Sequence, residues 1–177
     1  NTGWSMTGQD PAFGATNTMT MVHTNDAVVT WQWSTNYWLE TEAIGQGMVD
    51  VTNQWVAAGS NVVLTAAASN NYHFINWSGE TNDSVIVGET ITVPMTQARS
   101  ISAVFALNEH TFEIVSAHGI ADPVAGIYTN SYGTALSNSV DYLETLGTTQ
   151  YVNTGWSMTG QDPAFGATNT MTMVHTN

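Results

Sequence analysis

Cysteine and lysine are both absent from these 177 residues, and Arg99 is the only strongly basic side chain. Without cysteine there is no disulfide framework, so stability has to come from packing. Without lysine there is no phosphate-binding P-loop, and the Lys–Asn isopeptide cross-link that locks some bacterial surface domains is excluded. One arginine against 14 acidic residues leaves a formal net charge of −13. Nucleic-acid phosphates have to be neutralised by Lys and Arg, so nucleic-acid binding is excluded, and an anionic membrane surface is disfavoured for the same reason. Charged residues make up 8% of the chain, against about a quarter in ordinary globular domains. No apolar run approaches the roughly 20 residues that span a bilayer, and no signal peptide is visible.

Catalytic patterns are missing too. His23, His73, His110, His118 and His175 form no H-x-H or H-E-x-x-H pair, so a zinc site has no local support. Gly3-Trp4-Ser5-Met6-Thr7 lacks the closing glycine of a nucleophile elbow. Gly45-Gln46-Gly47 lacks the third glycine and the following helix of a dinucleotide loop. The sequence therefore predicts no enzyme, no catalytic residue, no metal site and no cofactor.

What the chain does contain is a repeat. Residues 1–25 and 153–177 are identical, NTGWSMTGQDPAFGATNTMTMVHTN, at an offset of 152. Chance does not produce this, and such a period governs the reading of the rest. The expected reading is one full repeat unit plus the start of the next, seen as a window on a longer array. With 42% hydrophobic residues the chain can build a packed core.

Alternation marks strands throughout. Val29, Trp31 and Trp33 share a face, as do Val62, Leu64, Ala66 and Ala68, then Ile91 and Val93, then Ile101, Ala103 and Phe105. Met19 and Met21 alternate with Thr18 and Thr20. Ala58-Gly59-Ser60, Ser78-Gly79, Asn82-Asp83, Gly88-Glu89 and Gly133-Thr134 supply turns. Thr, Val, Trp and Tyr favour strands as well. Only Ser139–Leu146 admits a helical turn, with Val140, Leu143 and Leu146 three apart.

A fainter period lies inside the first. Thr18-Met19-Thr20-Met21 matches Thr90-Ile91-Thr92-Val93 at an offset of 72, and Val29, Trp31 and Trp33 then fall on Ile101, Ala103 and Phe105. Trp4-Ser5 falls on Trp77-Ser78, and Gly59-Ser60-Asn61-Val62 on Gly133-Thr134-Ala135-Leu136. The 152-residue unit thus reads as two diverged halves of about 76 residues.

Residues 45–106 carry a family pattern: Trp55-Val56-Ala57-Ala58-Gly59, Val62-Val63-Leu64-Thr65-Ala66, Tyr72-His73-Phe74-Ile75-Asn76-Trp77-Ser78-Gly79, Ile91-Thr92-Val93-Pro94-Met95 and Ser100-Ile101-Ser102-Ala103-Val104-Phe105. This stretch resembles the divergent internalin B-repeat modules of large bacterial surface and secreted proteins. The other half, 109–152 continued by a 1–35 segment, resembles them more weakly, with Trp31 and Trp33 where Ala and Phe are usual. The resemblance implies a small β-grasp-like sheet, a surface or adhesion role, and no catalytic residues.

The expected fold class is all-β: small β-grasp-like or sandwich-like modules in tandem, forming an end-to-end array. The expected domains are 1–36, the C-terminal part of one module; 37–108, a complete module; and 109–177, the first and middle parts of the next copy. The module of 37–108 alone is expected to be self-sufficient. Residues 1–35 are expected to pack against a 109–152 segment of a preceding copy, whether joined to it or separate, because an uncovered strand edge invites strand addition. Copies would then follow head to tail in an open fibre.

Side chains that could bind something are few. Trp77, at a strand end before Ser78-Gly79, reads as a core residue, whereas Trp38 and Trp55, near loops, suit stacking on a sugar ring. Glu40 and Glu42 share a strand face, which reads as solvated rather than as a carboxylate pair. Asp10, Asp26, Glu80, Asp83 and Asp122 form no D-x-D-x-D run and read as turn residues rather than calcium ligands. Asn76-Trp77-Ser78 and Asn82-Asp83-Ser84 fit the N-glycosylation pattern. The functional expectation is an extracellular or cell-surface structural repeat, bacterial in type, whose partners are copies of itself. The alternatives are an adhesive or carbohydrate-binding repeat that recognises surface glycans, and a filament subunit that shares strands between neighbours.

Overall fold

The structure is a computed structural model and describes residues 1–176. It is all-β, with twenty strands and no helix among the described residues. In chain order they are β1 (Gly3–Thr7), β2 (Phe13–Gly14), β3 (Val28–Gln32), β4 (Asn36–Ile44), β5 (Gly47–Val49), β6 (Gln54–Ala57), β7 (Asn61–Ala68), β8 (Tyr72–Gly79), β9 (Val85–Val87) and β10 (Thr90–Pro94). There follow β11 (Arg99–Leu107), β12 (Glu109–Ile114), β13 (Ala121–Asp122), β14 (Gly126–Ser131), β15 (Ala135–Val140), β16 (Leu143–Leu146), β17 (Thr149–Val152), β18 (Trp156–Ser157), β19 (Phe165–Gly166) and β20 (Thr170–Val174). The described residues fall into two compact units, Asn1–Ala68 with Phe74–Phe105, and Ser69–His73 with 106–176.

The N-terminal unit holds a three-stranded sheet, β2-β1-β3, and two four-stranded sheets, β5-β7-β10-β9 and β6-β4-β11-β8. Alternation decides which side chains turn inward. Leu64, Ile91 and Val93 come from one four-stranded sheet, Leu39, Ile101 and Ala103 from the other, and all are 0% exposed. Fully burying an aliphatic side chain of this size contributes about 1.5–3 kcal/mol. Phe105 of β11 lies so close to Gly47 of β5 that a Cβ there would fall 2.4 Å from its ring. Phe74 packs between Phe105 and Trp77, at ring-centroid distances of 6.0 and 5.7 Å. Trp77 is buried, as a core residue should be.

The C-terminal unit comprises β12-β14, β13-β15-β20 and the two-stranded pairs β16-β17 and β18-β19. Its ladders repeat those of the N-terminal unit. In β10–β7, Thr90 faces Thr65 and Pro94 faces Asn61; in β20–β15, Thr170 faces Ser139 and Val174 faces Ala135. Every pair is displaced by 80 residues on one strand and 74 on the other. The turn bonds follow the same shift. Gly59 N donates to Met95 O and Met95 N to Ser60 O, while Gly133 N donates to His175 O and His175 N to Thr134 O. Likewise Asn36–Leu39 pair with Ala57–Gln54 as Glu109–Phe112 pair with Ser131–Tyr128. The two halves read in the sequence are thus two copies of one strand arrangement.

Two local expectations are corrected. Ser139–Leu146 is not helical: β15 ends at Val140 and β16 begins at Leu143. Leu143 and Leu146 pair with Val152 and Thr149 across a hairpin, so their spacing of three spans a strand junction rather than a helical turn. The alignment of the closing strands also moves by two residues. Gly8 and Gly79 each sit at positive φ against a neighbouring carbonyl, where a Cβ would lie 2.1 Å from Asp26 O and 2.3 Å from Ser100 O. Equating these contacts puts Val29 and Trp31, rather than Trp31 and Trp33, in the places of Ala103 and Phe105. A two-residue shift keeps the same strand face inward, and so leaves no mark on the alternation.

The two identical 25-residue copies fold differently. In the first, β1 pairs with β3 along Gly3–Thr7, and Trp4 and Met6 are buried, but Thr18–Val22 forms no strand and Val22 is 80% exposed. In the second, Thr170–Val174 is β20, paired with β15, and Met171, Met173 and His175 are buried. There the β1 equivalent shrinks to Trp156–Ser157, and Trp156 and Met158 are only half-buried. Each copy shows the half of the pattern for which the chain supplies a partner.

Candidate interaction surfaces

Two exposed tryptophans meet on the module of the N-terminal unit. Trp38 on β4 and Trp55 on β6 are directly opposed across the ladder, and their rings meet edge to face at a centroid distance of 5.3 Å. They are 37% and 67% exposed. Sequence reasoning placed both near loops; the structure sets them on paired strands, where the register rather than a loop brings them together. Such a pair offers an apolar, amphipathic surface with two indole N–H groups.

The acids do not converge. Glu40 and Glu42 lie exposed on β4, and Glu42 Oε2 accepts a long bond of 3.5 Å from Ser102 Oγ. Glu80 Oε2 accepts from Ser100 N at 2.9 Å, which ties a turn to β11. Asp83 lies 4.0 Å from the Arg99 guanidinium, while Asp10, Asp26 and Asp122 lie in separate segments. Among the described residues no three His, Asp or Glu side chains are grouped to hold a metal ion. Arg99, buried to 3% exposure, donates to Glu80 O at 3.2 Å and Thr96 Oγ1 at 3.3 Å, so the lone guanidinium binds its own turn.

The C-terminal unit carries a polar cluster that the sequence did not announce. His118 Nδ1 lies 2.9 Å from Glu144 Oε2, and its ring stacks on Tyr151 at 3.5 Å with planes 13° apart. The signal was non-local: β16 and β17 place Glu144 opposite Tyr151. Elsewhere in this unit His175 is buried with its Nδ1 lacking a hydrogen-bond partner, its ring 5.4 Å from that of His110. An open cleft of about 640 Å³ is lined by His175 together with Thr111–Val115 and Trp156–Gln161.

The family pattern now has its geometry. Residues 37–109 match the family described as the divergent InlB B-repeat domain. The matched segment contains both four-stranded sheets, apart from Asn36 at the start of β4. B-repeat modules of this kind belong to bacterial surface and extracellular proteins and are typically non-catalytic. Neither the curated proteins nor the solved structures provide a match to the chain.

Proposed function

We propose that the chain is a structural repeat of an extracellular bacterial fibre or giant surface protein, in which 152-residue units follow head to tail as a stalk or filament. The observation that carries this is the letter-for-letter recurrence of residues 1–25 at 153–177, around a unit whose two halves share one strand register. Repeats of this kind stack so that each contacts only its neighbours. The modules run 1–36, 37–108 and 109–177, the first and last being complementary parts of one module type. The partners are other copies of the repeat; with one Arg and no Lys the segment has no footing on nucleic acid. The role asks for no catalytic residue, cofactor or metal. Chains of one, two and four 152-residue units, compared by small-angle scattering, test it. The maximum dimension should grow by a constant increment per unit; a compact particle whose dimension levels off would overturn the reading.

A second role is favoured by one specific observation, the exposed Trp38–Trp55 pair. An adhesive repeat would use it to stack on sugar rings of surface glycans. Titration of the chain with a panel of oligosaccharides, followed by tryptophan fluorescence, should then give a response that Trp55→Ala abolishes. No response from any sugar would remove this role.

A further inference from the structure

The sheet β6-β4-β11-β8 buries Leu39, Ile101 and Ala103 on its inner face. Its outer face is open along β4, where Trp38, Glu40 and Glu42 are exposed and alternate with Leu39 and Thr41. Trp55 extends this face across the ladder from Trp38, with its ring plane at 62° to that of Trp38. On the other side β11 sets Ser100 beside Glu40 and Ser102 beside Glu42. Two indoles and then two carboxylates therefore follow one another on a single strand face, over about 13 Å from Trp38 to Glu42 at the usual strand rise.

The two carboxylates have no counter-charge. Among the described residues neither takes part in an ion pair, and Glu42 receives only the long bond from Ser102 Oγ. Arg99 is the one Arg or Lys of the chain, it is buried, and the carboxylate nearest it is Asp83. A second copy of this chain thus offers no exposed Lys or Arg to this face, and its complement has to come from a different molecule.

We infer that the outer face of β4 and β6 binds an amine-bearing glycan, with Trp38 and Trp55 stacking on sugar rings and Glu40 and Glu42 holding ring-attached ammonium groups. The inference rests on the adhesive role above and names the class of sugar that role would recognise. Acidic sugars would meet two carboxylates on a chain of net charge −13 and be repelled. Neutral sugars would leave both carboxylates without a partner. An ammonium group is drawn to an indole face as well as to a carboxylate. A rigid ring carries its amine at a fixed place relative to its stacking face, whereas a basic peptide would have to order long, flexible side chains to present the same charges. Exposed ion pairs are individually weak, so the indoles supply most of the contact and the carboxylates select among sugars.

The full chain is titrated calorimetrically with a β-1,4-linked glucosamine tetramer and with its N-acetylated counterpart, which offers the same rings without the charge. At low salt the amine tetramer should bind at least about threefold more tightly, the effect of two exposed ion pairs. The margin should close in about 1 M salt, where exposed charges are screened. Glu40→Gln combined with Glu42→Gln should bring the two tetramers to within about 1.5-fold of each other. The affinity for the acetylated tetramer should stay unchanged in that variant, which also shows that it is folded. Trp55→Ala should abolish binding of both. Equal binding of the two tetramers by the native chain overturns the inference and leaves the adhesive role standing, whereas binding of neither removes both. Amine binding that survives Trp55→Ala is bulk attraction to an acidic chain and overturns the inference. So does a tetralysine peptide that binds at least as tightly as the amine tetramer and is lost in both variants, because the partner is then a basic peptide.

Discussion

His175 occupies the place that Met95 holds in the matched module, by the shared turn bonds to Gly59 and Ser60 on one side and Gly133 and Thr134 on the other. Met95 fills that place with an apolar side chain, whereas His175 buries an Nδ1 without a partner, which costs about 1–3 kcal/mol. His175→Met should therefore stabilise the C-terminal unit by about 1 kcal/mol, read as a rise in its melting temperature. The same change at the sequence-identical but exposed His23 should stay within about 0.5 kcal/mol. Equal effects at the two positions would contradict the assigned burial. Arg99 supports a prediction of another kind. It is the only site for trypsin and is buried, so the native chain should survive digestion and the unfolded chain should give two pieces, 1–99 and 100–177. Rapid cleavage of the native chain would show that the turn around Arg99 is open.

The strand Thr170–Val174 is held by β15, and its twin Thr18–Val22 has no such neighbour. Met171→Ala should cost about 2–3 kcal/mol, within the range for emptying a buried methionine site, while Met19→Ala should cost well under 1 kcal/mol. Chemical denaturation of the two variants measures this, and similar losses would count against the pairing. The same elements show what could be read in advance. Alternation revealed Ile91 and Val93, Ile101 to Phe105, and the Met-Thr-Met strand, because a half-buried strand writes its period into the sequence. It could not say that one Met-Thr-Met copy pairs and the other does not, since the partner lies in residues 135–140 and not in the strand itself. The two-residue slip of β3 was hidden for a related reason: period-2 patterns are unchanged by it. Val140, Leu143 and Leu146 imitated a helical turn because two strands happen to meet there. The Trp38–Trp55 pair was named in the sequence, but its geometry came from the β4–β6 register. His118, Glu144 and Tyr151 gave no local signal at all.

At the scale of the molecule, no three His, Asp or Glu side chains among the described residues are grouped to hold a metal ion. Added chelator should leave the melting temperature unchanged; a fall of several degrees that calcium restores would require a metal the account does not include. The central claim is that the repeat places complementary halves of one module at its two ends, so that identical sequences differ in structure only through their partners. The chain contains its own control. Residues 18–23 and 170–175 are the same six letters, so intrinsic exchange rates cancel and any difference in protection is tertiary. The most direct test is amide hydrogen exchange of the two segments by NMR, with each segment assigned through its flanking residues. The account predicts strong protection in Thr170–His175 and almost none in Thr18–His23. Equal protection of the two segments, or protection of the first alone, would contradict it.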